Sequence, residues 1–457
     1  MDKYLNRIID KELIKWKNSE NHKPLLLRGA RQVGKSSAIR NLGKKFKYFL
    51  EINFELDEKI GQIFENDLDT SRIISKLSTY YKIPIKENET LLFFDEIQIC
   101  PRAIQSLRFF YEKNPKLHVI AAGSLLEFAL KDLTTFGVGR IHSIFMYPMT
   151  FDEFLLAQNE KGLIDEKQNA NPENPLLDIF HNKLVDYFRT YLIIGGMPEA
   201  VKVWSQTHNY LKCETILDDI ATTYEDDFVK YSKKINTSLL RLTLSSVISQ
   251  VGKKFVYSQV SSGIRSAQIK ECLEMLRLAG LIYPVIHTSG NGLPLGAEAN
   301  TAYTKYLFFD NGLMLRFLSM DYNNNKEITQ QILVSSATDL VNKGSLTEMV
   351  AGLEIMRYWT NNRRHDMYFW MRSGDTALAE IDYLIPYKSK VIPIEVKASA
   401  QGSMKSLFSF MEKPCHEKIG IRTSLENFSN YYNKDKHVFI IPLYAISNIA
   451  KEDYELK

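Results

Sequence analysis

The run Gly29, Ala30, Arg31, Gln32, Val33, Gly34, Lys35, Ser36 constrains this chain more than any other stretch. It follows Pro24–Arg28, a short apolar run of the kind that forms a buried parallel strand. After it, Ser37–Leu42 reads as the first turns of a helix. Strand, loop and helix in that order make the pattern G-x-x-x-x-G-K-S/T a phosphate-binding loop. Its glycines let successive N–H groups turn inward around phosphate oxygens, and the helix N-terminus adds partial positive charge. Lys35 is then placed to neutralise the β- and γ-phosphates, and the Ser36 hydroxyl to ligate Mg²⁺. Gly29 to Ser37 is therefore the candidate nucleoside-triphosphate site.

The second half of such a site is expected on Leu91–Glu96. Four apolar residues ending in carboxylates describe a central strand that delivers Asp95 to its C-terminal edge, where open α/β sheets place their ligands. Asp95 suits the Mg²⁺ shell and Glu96 suits polarisation of the attacking water, so the pair points to ATP hydrolysis rather than binding alone. A third strand, Leu117–Ala122, leads to Ser124. A small polar residue there can touch the γ-phosphate or the attacking water, or cap the helix that follows. After the Phe136–Gly139 loop, Arg140 is a candidate finger for phosphoryl charge, in its own chain or in a neighbouring subunit.

With these segments in view, the chain resembles prokaryotic AAA+-like P-loop ATPases that carry a C-terminal domain of unknown function related to restriction endonucleases. The resemblance rests on Leu27–Ser36, Phe94–Gln98, Ala121–Ser124, Gly139 with Arg140, and Tyr147–Phe154. It continues through Tyr191–Glu199, Phe309–Leu313, Gly344–Glu348 and Ile394–Lys397, and so covers nearly the whole chain. It implies a nucleotide-dependent machine and leaves the substrate open.

Bulk properties limit the alternatives. A chain of 457 residues, 45% hydrophobic and 12% aromatic, is long enough for several cores. A formal charge of +4 is too slight to establish nucleic-acid binding. Cys100, Cys213, Cys272 and Cys415 are scattered without C-x-x-C pairing, which fits core thiols in a reducing cytoplasm better than zinc ligands or disulfides. The N-terminus reads as a charged amphipathic helix rather than a signal peptide, and no apolar run approaches the roughly 18–20 residues that span a bilayer. The expectation is a soluble, cytoplasmic protein with no membrane partner.

The expected architecture is α/β, in four parts. Residues 1–155 form the parallel-sheet P-loop ATPase core, and 156–235 a helical lid region with a polar loop over about 158–175. The acids Asp218, Asp219, Glu225, Asp226 and Asp227 there read as solvated helix faces. Residues 236–330 carry helices over 239–251, 257–264 and 266–279, then strands at 281–286 and 305–309. That order describes a winged helix-turn-helix, with Arg265, Gln268 and Lys270 facing out toward DNA or serving a protein-interaction module.

Residues 331–457 form the expected C-terminal α/β restriction-endonuclease-like domain. Alternation along Val391–Lys397 puts Glu395 and Lys397 on one face. Asp382 on the neighbouring strand and Glu348 on the preceding helix complete the Asp…Glu-x-Lys constellation. Glu348, Asp382 and Glu395 are the candidate metal ligands, and Lys397 the residue that orients or deprotonates water. His365 and His416 lack ligand spacing and read as surface or packing residues. Two functions follow: an Mg²⁺-dependent ATPase that presents DNA or RNA to a nuclease-like domain, or an ATP-driven switch whose other domains are scaffolds for a protein partner or self-association.

Overall fold

A computed structural model describes residues 4–65, 67–124, 126–132, 139–231, 236–318, 343–359, 366–372, 379–398 and 402–450. Phe136–Val138 and His365 lie outside the described residues. The chain divides into two compact units, Met1–Tyr147 with Leu278–Leu281, and Pro148–Arg277 with Ile282–Lys457.

The first unit runs α1 (Ile9–Lys17), β1 (Leu25–Arg28), α2 (Lys35–Gly43), β2 (Tyr48–Asn53), α3 (Thr70–Tyr81) and β3 (Thr90–Asp95). It continues through α4 (Pro101–Lys113), β4 (His118–Ala122), α5 (Leu126–Asp132) and β5 (His142–Phe145). The strands form one parallel sheet in the order β2-β3-β4-β1-β5. Leu91, Leu92, Phe93 and Phe94 are fully buried, as a strand covered on both faces requires. Ile73 and Leu77 of α3 and Leu107 and Phe110 of α4 share one core with Leu92 and Phe94. Because β4 lies between β1 and β3, the chain leaves all three strands at one edge, and the phosphate loop, Asp95 and Ser124 converge there.

The second unit opens with α6 (Phe151–Ala157), α7 (Lys161–Asn169), α8 (Asp178–Ile194), α9 (Pro198–Thr207), α10 (Tyr210–Tyr231), α11 (Thr237–Ser249) and α12 (Ser266–Leu278). Then come β6 (Ile282–Thr288), β7 (Ala299–Phe308), α13 (Asn311–Phe317) and α14 (Lys343–Trp359). It ends with β8 (Met367–Met371), β9 (Glu380–Tyr387), β10 (Lys390–Val396), α15 (Lys405–Met411), β11 (Ile419–Ser424), β12 (Ser429–Asn433) and β13 (Lys436–Pro442). Its strands make one mixed sheet, β12-β13-β11-β10-β9-β8-β6-β7.

Three features depart from the sequence expectations. The polar stretch 158–175 contains α7, because Leu163, Ile164 and Lys167 fall on one buried face. The expected helix 257–264 is a single 3₁₀ turn, Tyr257–Gln259, since Ser261, Ser262 and Gly263 are poor helix formers. The β6/β7 hairpin forms antiparallel, but it is no free-standing wing: β6 pairs in parallel with β8, setting Val285 opposite Met367. The expected boundary between 330 and 331 therefore cuts through one sheet, and 148–277 and 282–457 are one compact unit rather than three.

Two of the resembling segments interlock inside this unit. Asp310 accepts from the backbone N–H of Leu313 at 3.0 Å and of Gly196 at 2.7 Å, and the Asn311 amide donates to the Tyr191 carbonyl at 2.6 Å. Arg357 on α14 donates to the Tyr191 hydroxyl at 2.8 Å and the Phe309 carbonyl at 3.1 Å. Tyr191–Glu199 and Phe309–Leu313 thus tie the end of α8 to the start of α13, a structural task.

Candidate nucleotide site and carboxylate cluster

The phosphate loop owes its shape to two backbone positions. Gly29 has φ +140°, and a Cβ there would lie 2.1 Å from the Met146 carbonyl oxygen; Gly34 has φ +97°. Any larger residue at Gly29 would push the loop off β5. Gln32 takes φ +60° between them. The buried Val33 carbonyl accepts from Arg7 at 2.7 Å, and the same guanidinium donates to the Tyr147 carbonyl at 2.7 Å. Arg7 thus braces the loop from the N-terminal segment, a role no local pattern announces.

Lys35 begins α2 and donates to the carbonyls of Gly29 at 2.9 Å and Ala30 at 2.7 Å. Burial lowers its pKa to about 8, against the opposing pull of Glu96 and Asp95, while Arg31 nearby lowers it further. The Ser36 hydroxyl lies 3.1 Å from both Asp95 oxygens, and the Asn53 amide is 3.4 Å from Asp95 Oδ2. Burial, then the charge of Glu96, raises the Asp95 pKa. A hydroxyl and a carboxylate converging at this edge are hard oxygen donors and fit Mg²⁺. Ser37 follows within α2.

Glu96 sits in the left-handed region at φ +48°, a conformation that costs a non-glycine residue free energy and recurs at functional sites. Its Oε2 accepts from Gln98 Nε2 at 2.6 Å, from the Ser124 hydroxyl at 3.1 Å and from the Ser124 N–H at 3.3 Å. The structure therefore joins Glu96 and Ser124, residues from neighbouring strand ends. It adds Gln98, whose signal was its position inside the Phe94–Gln98 segment. At the end of β1, Arg28 makes a two-pronged contact with Glu127 of α5.

Arg140 does not join this group. It pairs with Glu112 at 2.6 Å, near the C-terminal end of α4, while Lys23, just before β1, donates to the Gly139 carbonyl at 2.6 Å. Both contacts belong to the edge where β1 and β5 begin, opposite the phosphate loop. A helix of this length spans about 20 Å, so Arg140 does not reach the phosphate site of its own chain.

The C-terminal constellation is rearranged. Glu395 Oε1 pairs with Lys397 at 2.6 Å, and Asp382 Oδ2 accepts from the Val396 N–H at 2.7 Å. The carboxylates that gather within 4.8 Å of one another are Glu348, Glu380 and Asp382. Glu395 is not in that set, and Glu380, two residues before Asp382 on β9, takes its place. The ammonium of Lys305 from β7, with its side chain 2% exposed, lies 2.8 Å from Glu348 Oε1 and bonds Glu380. Burial raises the pKa of both Glu348 and Asp382. Burial alone would lower that of Lys305, but Glu348, Asp382 and Glu380 outweigh it and hold it above the usual lysine value. The set does not fit a divalent cation as it stands, because the Lys305 ammonium already holds two of its three carboxylates.

Arg265, just before α12, and Gln268 and Lys270 on it are solvent-exposed, as expected. Of the helix acids read as solvated, Asp227 is instead buried, and the half-exposed Asp218 pairs with Arg316 at 2.7 Å, beside the Arg316–Glu214 pair. His416 stacks on Phe410 with ring centroids 3.9 Å apart, a packing role. No helix among the described residues is long and apolar enough to cross a membrane.

Comparison with known proteins agrees with the first unit. Residues 21–155 match the model of an AAA domain family. Residues 185–324 and 343–446 match two domains of unknown function, DUF8612 and DUF4143. An uncharacterized protein of Haemophilus influenzae is 25% identical over 320 residues, 66% of this chain and 70% of the relative. Among solved structures, a Walker-type ATPase of Pyrococcus abyssi is 15% identical with a TM-score of 0.43, covering 69% of this chain and 96% of that one. The Aeropyrum pernix ORC1 protein, solved in complex with DNA, is 12% identical with a TM-score of 0.30, covering 69% of this chain and 93% of that one. With its phosphate loop, its Asp95 strand and its parallel sheet, the first unit carries a P-loop ATPase fold of the AAA type.

Proposed function

We propose that this protein binds and hydrolyses ATP with Mg²⁺ and uses the nucleotide cycle as a switch. The observation that carries the reading is the convergence of Ser36 on Asp95 at 3.1 Å, with Glu96 held by Ser124 one strand away. In this reading the N–H groups of the Gly29–Ser37 loop and the Lys35 ammonium bind the β- and γ-phosphates. Ser36 and Asp95 hold the Mg²⁺ shell, and the metal supplies charge neutralisation at the phosphates. Glu96 aligns and polarises the attacking water. Ser124 and Gln98 are positioning residues that fix the Glu96 carboxylate. Arg140, turned away in its own chain, acts only if a second copy brings its phosphate site to it.

Of the two outputs, the non-cleaving switch is favoured over a metal-dependent nuclease. Lys305 sits among the carboxylates that a nuclease would give to metal, and Lys397 is paired with Glu395. The exposed Arg265, Gln268 and Lys270 support α12 as the face offered to a partner, with DNA or RNA as the chemistry to try first. ATP turnover by the full chain beside Lys35→Ala tests the reading. Turnover lost in Lys35→Ala supports it, and turnover that survives unchanged contradicts it. Binding to duplex DNA that weakens steeply with salt identifies a nucleic-acid partner through phosphate neutralisation; salt-insensitive behaviour directs the search to a protein.

A further inference from the structure

Glu348 on α14, Glu380 and Asp382 on β9, and Lys305 on β7 come from three elements far apart in sequence, yet they close on one point. We propose that Lys305 is a built-in cation: its ammonium takes the position a divalent metal would hold, and the cluster becomes a divalent-cation site only when that lysine is removed. This inference does not rest on the ATPase reading, since no residue of the phosphate loop enters it.

Three observations carry it. The first is position. Lys305 is buried to 2% exposure and spends two of its donors on Glu348 and Glu380, while Asp382 anchors its own carboxylate on the Val396 N–H. Each of the three carboxylates therefore already has a partner for one of its oxygens. The second is architecture. Lys305 stands opposite Val285 in the hairpin, and that hairpin is locked to β8 through Val285 and Met367. The ammonium is delivered by a paired strand of the same sheet, not by a loose loop. The third is the neighbouring pair. Lys397, which a cleaving site would need beside the metal and a water, instead neutralises Glu395 at 2.6 Å.

The electrostatics give the consequence. A buried ammonium and a divalent ion competing for the same three carboxylates repel each other strongly at about 4 Å. Binding a metal therefore requires that Lys305 leave, and its ammonium is held further by the Phe369 ring, whose centroid lies 5.1 Å away. Lys305→Met keeps the stem's volume and removes the charge. Glu348, Glu380 and Asp382 are then three oxygen donors within mutual reach, which suits Mn²⁺ or Mg²⁺.

Mn²⁺ binding to the full-length protein without nucleotide, followed by electron paramagnetic resonance, tests this directly. Wild type should show no Mn²⁺ binding that depends on Asp382, so wild type and Asp382→Asn should titrate alike. Lys305→Met should gain one Mn²⁺ per chain, tighter by roughly tenfold or more than any wild-type binding, and Lys305→Met with Asp382→Asn should lose it. Should Lys305→Met fold poorly, Mn²⁺ should raise its thermal transition and leave that of the double variant unmoved. An Asp382-dependent Mn²⁺ site in wild type would overturn the proposal, because the lysine would then yield to metal. So would a folded Lys305→Met that gains no site.

Discussion

Ser36 and Asp95, 59 positions apart in the chain, meet with the serine hydroxyl 3.1 Å from each carboxylate oxygen. One comes from the first turn of α2 and the other from the last residue of β3, so the contact depends on the parallel sheet that aligns both ends. In the proposed function this contact places Ser36 in the Mg²⁺ shell. Ser36→Ala should weaken the Mg²⁺ dependence of nucleotide binding by roughly 10–100-fold and leave metal-free binding nearly unchanged. Titration of Mg²⁺ at fixed nucleotide checks it, and an unchanged Mg²⁺ midpoint would remove Ser36 from the shell.

In the proposed function Ser124 and Gln98 act on Glu96, to which both are hydrogen-bonded, rather than on substrate. Losing one hydrogen bond to a carboxylate costs about 1.5–3 kcal/mol, or roughly 10–150-fold in rate. Ser124→Ala and Gln98→Ala should each lower kcat within that range with KM for ATP little changed. An effect on KM alone would place them on the nucleotide.

The lowered pKa of Lys35, about 8, has a measurable sign. Phosphates favour the ammonium, so the pKa in the nucleotide complex lies above that of the free site. Near pH 8 and above, binding must take up a proton, and affinity falls as pH rises past 8. The same depression means that the folded chain holds fewer protons at this lysine than the unfolded chain between about pH 8 and 10.5, so this group's share of stability rises with pH there. Calorimetry of nucleotide binding in two buffers of different ionisation heat reads the uptake directly. Equal heats in both buffers at pH 8.5 would contradict it.

Lys167 is fully buried with its ammonium 2.7 Å from Asp152 and 2.9 Å from the Ser447 hydroxyl. Lys167→Met should destabilise the second unit by about 3–5 kcal/mol, because it strands a buried carboxylate. Lys167→Met with Asp152→Leu should recover much of that loss. Denaturant midpoints of the two variants decide it, and equal destabilisation in both would contradict the charge argument.

The nucleotide half of the molecule was legible because its chemistry is local. Gly29 to Ser37 and Leu91 to Glu96 are contiguous segments, and each carries its own strand or helix pattern. What escaped was long-range. Arg7 reaches Val33 across 26 positions, and Lys305 reaches Glu380 across 75. Alternation along β9 puts Glu380 on the face of Asp382, and alternation along Val391–Lys397 puts Glu395 beside Lys397, yet nothing local shows that Lys305 comes to Glu348 and Glu380. The helix α7 was hidden for a related reason. Its buried stripe uses Lys167 where a hydrophobic residue would have revealed the period, and only the partners Asp152 and Ser447 make that lysine tolerable inside.

Glu96 tests the central claim most directly, through phosphate release and nucleotide affinity measured together on wild type and Glu96→Gln from matched preparations. The account expects turnover to fall by roughly 10²–10⁴-fold while ATP affinity stays within a few-fold of wild type. Turnover at the wild-type rate in Glu96→Gln would contradict it and assign the hydrolysis to another residue.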